Sequence, residues 1–129
     1  MGADDRFREG FVPGRHLIDA YGAGGFRFAE MSHRGSILAL PSGVHAWAVT
    51  EAREIDAASL APVFAAAPEI DLLLIGTGPE IVFLPDVLRQ RLKAAGIGLD
   101  AMQTGAAART YNILAAENRK VAAALVAVP

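Results

Sequence analysis

The chain has 129 residues, of which 53% are hydrophobic and 20% charged, and its formal net charge is −2. This size and composition fit one globular domain and exclude a disordered or collagen-like chain. The 12 basic and 14 acidic side chains nearly balance, which argues against a nucleic-acid-binding surface. The absence of cysteine excludes disulfides, thiolate catalysis and cysteine-ligated metals.

The N-terminal region shows no pattern typical of a targeting segment. No apolar run in the sequence reaches the roughly 20 residues that a membrane-spanning helix needs. The first 14 residues mix acidic and basic side chains and lack an apolar stretch. We therefore expect a cytoplasmic protein with a loose arm over residues 1–14 and a single domain over residues 15–129.

The first half of the chain predicts short strands joined by tight turns. Glycines at 22, 24 and 25 separate the first two strands, and the Pro41-Ser42-Gly43 turn separates the last two. The apolar patterns place these four strands at residues 16–21, 26–29, 36–40 and 44–49. Consecutive strands joined by tight turns pair antiparallel, so we expect a small antiparallel set here.

The second half alternates strands with helices. Strands are predicted at residues 70–75, 97–102 and 120–128, and helices at 57–66, 85–95 and 105–116; residues 81–83 form a short extended piece. Asp56 and Thr104 are expected to cap helices, and Gly96 and Asn118 to end them in the left-handed conformation. This alternation requires crossovers. It predicts an α/β fold: a single three-layer domain around a mixed, partly parallel central sheet, with the smaller antiparallel strand set from the N-terminal half.

Residues 73–78 (LLIGTG) end an apolar strand in Gly-Thr-Gly, as many nucleotide-binding loops do. A dinucleotide-binding fingerprint would need a third glycine at the position of Ile81, and a P-loop would need Gly-Lys-Ser/Thr. The sequence meets neither requirement. The simpler interpretation is a sharp exit from a core strand, for which glycine supplies the backbone freedom.

The loops after the strands at 70–75 and 97–102 are the candidate ligand site. If these strands are parallel neighbours, both loops leave the same edge of the sheet, where a helix N-terminus also attracts anions. The candidate crevice for a small ligand or anion consists of Gly76, Thr77, Gly78, Thr104, Gly105 and Arg109. The favoured alternative is that Thr104 is simply an N-cap and Arg109 pairs with a carboxylate.

The sequence offers no recognisable catalytic group. No serine lies in a nucleophile elbow, and the acidic residues form no evident pair. His16, His33 and His45 lack metal-ligand spacing, so we expect them on the surface or at strand edges. We therefore assign no catalytic residue, metal or cofactor, and a non-enzymatic protein is favoured. Tyr21 and Trp47 are expected in the core rather than at an interface.

Several segments together resemble a known family. The strongest are residues 102–114 (MQTGAAARTYNIL) and 117–125 (ENRKVAAAL). Others are residues 18–21 with 24–26, the turn at 41–43 with Trp47, and residues 73–78. From residue 15 onward the chain resembles the family that includes the mitochondrial respiratory complex I assembly factor three, an adipogenesis-associated vertebrate protein, and many uncharacterised bacterial and archaeal proteins.

The resemblance implies a compact three-layer α/β domain whose mixed sheet has one strand antiparallel to the others, and the last strand is the candidate. It carries over no catalytic residue. Its best-described activity is helping to assemble a membrane-bound respiratory complex through protein contacts. Gly76-Thr77-Gly78 and residues 104–112, including Thr110, Tyr111 and Asn112, match family motifs of unknown role. Mitochondrial members carry a targeting segment, which we do not expect in this chain, and many members have glycine where this chain has Asn118.

Three functional hypotheses follow. The first is a non-catalytic interaction or assembly factor, linked to respiratory complex I biogenesis, whose partners are respiratory subunits or other assembly factors. It predicts an exposed apolar or aromatic patch, and peripheral membrane association is compatible with it. The second is a small-ligand or anion-binding protein using the crevice described above. The third is a homo-oligomer formed by pairing of an apolar edge strand.

Overall fold

The computed structural model describes residues 10–129, so the first nine residues of the predicted arm lie outside the described part. The central sheet has six strands in the order β1-β6-β5-β9-β7-β8. Their bounds are β1 Phe11–Pro13, β5 Ser36–Leu40, β6 Gly43–Trp47, β7 Leu72–Gly76, β8 Gly98–Met102 and β9 Val121–Leu125. Residues 11–13 of the predicted arm thus form a strand, which pairs antiparallel with β6.

A second, three-stranded antiparallel sheet is formed by β2 (Ala20–Gly22), β3 (Gly25–Phe28) and β4 (Met31–Arg34). It confirms the predicted smaller strand set from the first half. The strand predicted at 16–21 is wrong for its first four residues, since β2 begins at Ala20. Within this segment the backbone of Ile18 is bonded to the Asn112 side chain of a helix, and the Asp19 N–H donates to Arg27 O.

Three helices complete the domain: α1 (Ala61–Ala65), α2 (Asp86–Ala94) and α3 (Thr104–Ala116). α1 is shorter than predicted because Asp56 does not cap it. The Asp56 carboxylate accepts the Ser59 backbone N–H at 2.8 Å and closes a separate turn before the helix. Gly96 and Asn118 follow α2 and α3 with φ of 83° and 60°, as predicted.

The last strand, β9, does not have the direction that the sequence suggested, which was antiparallel to the other strands. β9 pairs parallel with β7, which also pairs parallel with β8, whereas β9 is antiparallel to β5. The reason is α3, whose 13 residues carry the chain about 20 Å back to the starting edge of the sheet. β9 therefore begins where β8 began, and the turn at Asn118 merely ends the helix.

The sheet has a hydrophobic core on each face, which gives the predicted three layers. On one face, α2 and the segment before it bury Leu84, Leu88 and Leu92 against Leu73 and Ile75. On the other face, α3 and the small sheet cover the strands with Ala107, Tyr111, Phe26 and Phe28 against Leu74. Within residues 10–129, no helix has the length and apolar character to cross a membrane.

Candidate functional site: the Gly-Thr-Gly loop and the exposed apolar loop

The two loops of the candidate crevice are bonded directly to each other. Backbone N–H groups of Thr77 and Thr104 donate to Met102 O at 2.8 Å and to Gly78 O at 2.9 Å. Parallel pairing of β7 and β8 brings the loops together as predicted. Their facing backbone groups therefore bind each other across the edge of the sheet.

Thr104 links three segments through one buried hydroxyl. The residue is fully buried, and its Oγ1 donates to Val126 O at 2.7 Å and accepts the Gly78 N–H at 3.0 Å. The prediction that this side chain caps α3 is wrong, because Thr104 is the first helical residue and no side-chain cap bond is formed there. The hydroxyl instead joins the Gly-Thr-Gly loop to the end of β9.

Gly76 allows this close approach. A Cβ atom at position 76 would lie 2.7 Å from Thr104 Cα and 3.0 Å from Leu125 Cδ2, which backbone packing forbids. The glycine is therefore needed for the contact between β7 and the start of α3, whatever else the loop does.

Thr77 shapes the residues that follow it. Its side chain is buried, and Oγ1 lies 2.7 Å from Glu80 O and 3.1 Å from Met102 O, which share its proton. The same oxygen accepts the Val82 N–H at 3.1 Å. One hydroxyl thus fixes the path of residues 77–82.

Gly105 and Arg109, the other two residues of the candidate crevice, do not take part in the bonds that join the two loops. At Gly105 a methyl group would overlap the Tyr21 hydroxyl oxygen, so the Tyr21 side chain covers this position. Arg109 is exposed on α3. A cleft of about 600 Å³ beside the Gly-Thr-Gly loop is lined mainly by residues 50–53, 77–80 and 126–129, without Thr104, Gly105 or Arg109. Ligand binding at these residues stays a prediction.

The family-motif residues hold α3 in place. Asn112 bonds both backbone groups of Ile18: its Oδ1 accepts the Ile18 N–H and its Nδ2 donates to Ile18 O, each at 2.8 Å.

The other two residues of the motif, Tyr111 and Thr110, make weaker polar contacts. Tyr111 is fully buried in the core, and its hydroxyl lacks a hydrogen bond of acceptable geometry. Burial raises the pKa of Tyr111, and the nearby Arg15 guanidinium offsets part of that rise. Thr110 Oγ1 makes a weak 3.9 Å contact with Met102 Sδ.

We expect Asn112→Ala to lower the free energy of unfolding by about 1–3 kcal/mol, because two partly buried backbone groups of Ile18 lose their partners. Urea denaturation measures this change. Thr110→Ala on the same helix is the matched control and should stay within about 0.5 kcal/mol of the parent. Equal stabilities for the Asn112 variant and the parent would contradict the assigned role.

Four exposed apolar side chains, including the most exposed one, Phe83, follow the Gly-Thr-Gly loop. We call Ile81, Val82, Phe83 and Val87 the 81–87 surface; their side chains are 53%, 39%, 89% and 63% exposed. Leu84, between them, is buried in the core and anchors the segment. Single exposed apolar residues are ordinary, but an exposed Ile-Val-Phe run is typical of an interaction site.

The apolar run of the 81–87 surface is flanked by acidic side chains. Glu80 and Asp86 are exposed on either side of it, and the next cations along the chain are Arg89 and Arg91 of α2, of which Arg91 lines a cleft together with Val87. The nearby Glu51 and Arg53 neutralise each other in an exposed ion pair of 3.0 Å. The surface therefore combines apolar side chains with negative charge.

The side chains that could bind a metal ion are dispersed among residues 10–129. No three histidine or acidic side chains in this range are placed to hold a metal ion. His16 Nε2 lies 3.0 Å from Pro13 O, and the rings of His45 and Phe11 make a tilted contact with their centroids 4.5 Å apart. Burial lowers the pKa of both His33 and His45. His33 and His45 lie on different strands, β4 and β6, and His16 lies between β1 and β2. Tyr21, expected in the core, is 43% exposed, whereas Trp47 is buried as expected.

Comparison with known proteins identifies the family. Residues 18–126 match the family model described as a protein of unknown function (DUF498/DUF598), and the chain belongs to this family. It is 42% identical over 122 residues to an uncharacterized protein of Rhodobacter capsulatus, covering 95% of this chain and 93% of that protein. The resemblance found in the sequence is thereby confirmed.

Animal relatives carry a functional name. The chain is 31% identical over 113 residues to NADH dehydrogenase (ubiquinone) 1 alpha subcomplex assembly factor 3 of Danio rerio, covering 88% of this chain and 65% of that protein. It is 30% identical over 112 residues to the protein of the same name in Homo sapiens, covering 87% of this chain and 61% of the relative. The chain thus spans less than two thirds of these relatives.

Solved structures share the fold. A crystal structure described as an outer membrane protein from Bartonella henselae has a TM-score of 0.87 and 50% identity, over 91% of this chain and 98% of that one. A Bordetella pertussis protein described as a Mth938-like domain has a TM-score of 0.76 and 32% identity, over 87% and 85% of the two chains. The α/β fold with its mixed sheet is therefore confirmed.

Proposed function

We propose that this chain is a non-catalytic assembly factor that binds a protein partner through the 81–87 surface and serves the biogenesis of an NADH dehydrogenase of the respiratory complex I type. The observation that carries the proposal is the exposed Ile81-Val82-Phe83 run, with Phe83 89% exposed. The names of the animal relatives support the assembly role and its target. We also propose that the protein is cytoplasmic, and cell fractionation tests this location.

Charge indicates what kind of partner fits. Glu80 and Asp86 flank the apolar run, so a partner with an apolar pocket bordered by lysine or arginine is complementary to it. An anionic membrane surface is a poorer match, because these acidic side chains are repelled by negatively charged lipid headgroups. A protein partner is therefore favoured over a lipid bilayer.

The 81–87 surface is held ready for binding. Thr77 Oγ1 bonds Glu80 O and the Val82 N–H, Leu84 is buried, and prolines stand at 79 and 85. A loop ordered before binding loses less conformational entropy when the partner arrives. Under this proposal the Gly-Thr-Gly motif holds the apolar loop in position and does not bind phosphate.

We expect Thr77→Val to weaken partner binding although the exposed surface keeps its side chains. Valine retains the shape but removes the bonds to Glu80 O, Met102 O and the Val82 N–H. The Val82 amide should exchange with solvent faster, and stability should fall by about 1–2 kcal/mol. Thr77→Ser, which keeps the hydroxyl, is the control. Equal Val82 exchange rates in the valine variant and the parent would contradict this role.

Affinity purification from the source cells tests the proposal. The tagged protein is recovered separately from soluble and membrane fractions, and co-purifying proteins are quantified against an unrelated tagged control. We expect enrichment of NADH dehydrogenase subunits or their biogenesis factors. Recovery without any such protein, at normal expression of the bait, would contradict the proposed function.

A further inference from the structure

A second exposed surface lies on the opposite face of the sheet. It consists of Leu17, Tyr21, Arg109 and Ile113, which we call the α3 outer face. Ile113 is 60% exposed, and Leu17 and Tyr21 are each 43% exposed. α3 packs in the core on one side of the sheet, whereas Leu84 and α2 pack in the core on the other. The α3 outer face is therefore separate from the 81–87 surface.

The geometry places these side chains next to one another. Positions 105, 109 and 113 are four residues apart and share one side of α3. Tyr21 lies over Gly105, at the first of these positions. Leu17 precedes Ile18, whose backbone is bonded to Asn112 beside Ile113. An aromatic ring, an arginine and two aliphatic side chains thus line one helix.

The composition of α3 differs from that of an ordinary surface helix. Among its 13 residues Arg109 is the single charged one, whereas the nine residues of α2 include Asp86, Arg89, Arg91 and Lys93. A helix that faces only water normally carries charged residues on its outer side. Tyrosine and arginine are also enriched among the residues that dominate binding energy at protein interfaces. The outer side of α3 therefore has the character of a covered surface.

Arg109 indicates the occupant. No carboxylate among residues 10–129 forms an ion pair with it, and α3 itself contains no acidic residue. We propose that the α3 outer face binds an apolar segment of a second protein that carries an aspartate or glutamate opposite Arg109. Charge complementarity with a lone exposed arginine between apolar side chains is what selects this partner.

A second copy of this chain and a membrane fit less well. Arg109 is the sixth of 13 residues, so two antiparallel α3 helices related by a two-fold axis would bring both guanidinium groups together near the axis. Helices that bind anionic membranes usually present several cations, whereas α3 itself carries only Arg109. The consequence is a protein that holds two different partners on opposite faces of its sheet.

The test uses a photo-reactive amino acid at position 113 in the source cells. The cross-linked peptide is sequenced, and a synthetic copy is titrated against the purified parent, Arg109→Glu and Lys93→Glu. We expect a peptide from another protein with an acidic residue among apolar ones. Arg109→Glu should weaken binding by about tenfold or more, whereas Lys93→Glu, with the same charge change on α2, should leave it within about twofold.

Two further readouts separate this inference from the proposed function. A lysine in place of the peptide's acidic residue should restore binding to Arg109→Glu. Phe83→Ser should leave the cross-link at 113 intact. The inference is overturned if position 113 cross-links only a second copy or lipid, if it gives no cross-link while position 83 does, or if Arg109→Glu binds the peptide as tightly as the parent. If Phe83→Ser abolishes the cross-link at 113, the two surfaces form one interface and only the proposed function stands.

Discussion

Replacing Thr104 with valine is expected to lower the free energy of unfolding by about 2–4 kcal/mol. The hydroxyl is fully buried and bonds Val126 O at 2.7 Å and the Gly78 N–H at 3.0 Å. Valine fills the same volume but leaves both backbone groups without this partner, and neither can reach water without local unfolding. Each buried unsatisfied group costs about 1–3 kcal/mol.

Thermal and urea unfolding measure the Thr104 effect. We expect the midpoint of thermal unfolding to fall by roughly 10 °C. Thr104→Ser keeps the hydroxyl and loses one buried methyl group, so its free energy of unfolding should fall by about 1 kcal/mol. Should the valine and serine variants be equally stable, the hydroxyl would not be what joins the Gly-Thr-Gly loop to β9.

Replacing Phe83 with serine is expected to weaken binding of the proposed partner by about 30-fold or more, because an aromatic residue at the centre of an interface often contributes over 2 kcal/mol. Phe83 is 89% exposed, so the folded chain gains little from its burial. The stability of the variant should therefore stay within about 0.5 kcal/mol of the parent. A large functional loss without a folding defect is the signature of an interface residue.

Quantitative co-purification followed by titration of the isolated partner measures the Phe83 effect. Ile113→Ser is the matched control, since Ile113 is another exposed apolar side chain but lies on the opposite face of the sheet. It should leave the partner of the 81–87 surface bound. Retention of that partner by Phe83→Ser at parental affinity would move the interaction site elsewhere.

Local patterns predicted much of the fold. The continuous apolar run at 70–75 correctly located β7, because a strand covered on both faces must be apolar throughout. β8 was also located, but it is a partly exposed edge strand that contains Asp100. Gly96 and Asn118 were recognised as helix ends, since few other residues adopt positive φ easily. The direction of β9 could not be predicted from its own residues, because it depends on the edge of the sheet at which α3 ends.

Long-range side-chain roles could not be predicted. Thr104 has the residue type of a helix cap, but its hydroxyl partner at Val126 is 22 residues away. Asn112 and Ile18 are separated by 94 residues, and no pattern in either segment indicates that they are hydrogen-bonded. Both roles depend on the tertiary arrangement of segments that the sequence separates.

The exposure of residues 81–83 was also hidden in the sequence. An Ile-Val-Phe triplet has the composition of a buried strand, and composition alone does not distinguish a core strand from an exposed loop. The distinction comes from Thr77, whose hydroxyl bonds Glu80 O and the Val82 N–H and so fixes the loop on the surface. The signal that sequence reasoning could have used is the pair of prolines at 79 and 85 around the triplet.

Complementation of a deletion strain tests the central claim most directly. The gene is removed from the source organism, and the parent chain, Phe83→Ser or Lys93→Ser is supplied at equal abundance while assembled NADH dehydrogenase is quantified on native gels. The account predicts less assembled enzyme in the deletion strain, with recovery by the parent and by Lys93→Ser but not by Phe83→Ser. Unchanged assembly after deletion, or full recovery with Phe83→Ser, would contradict it.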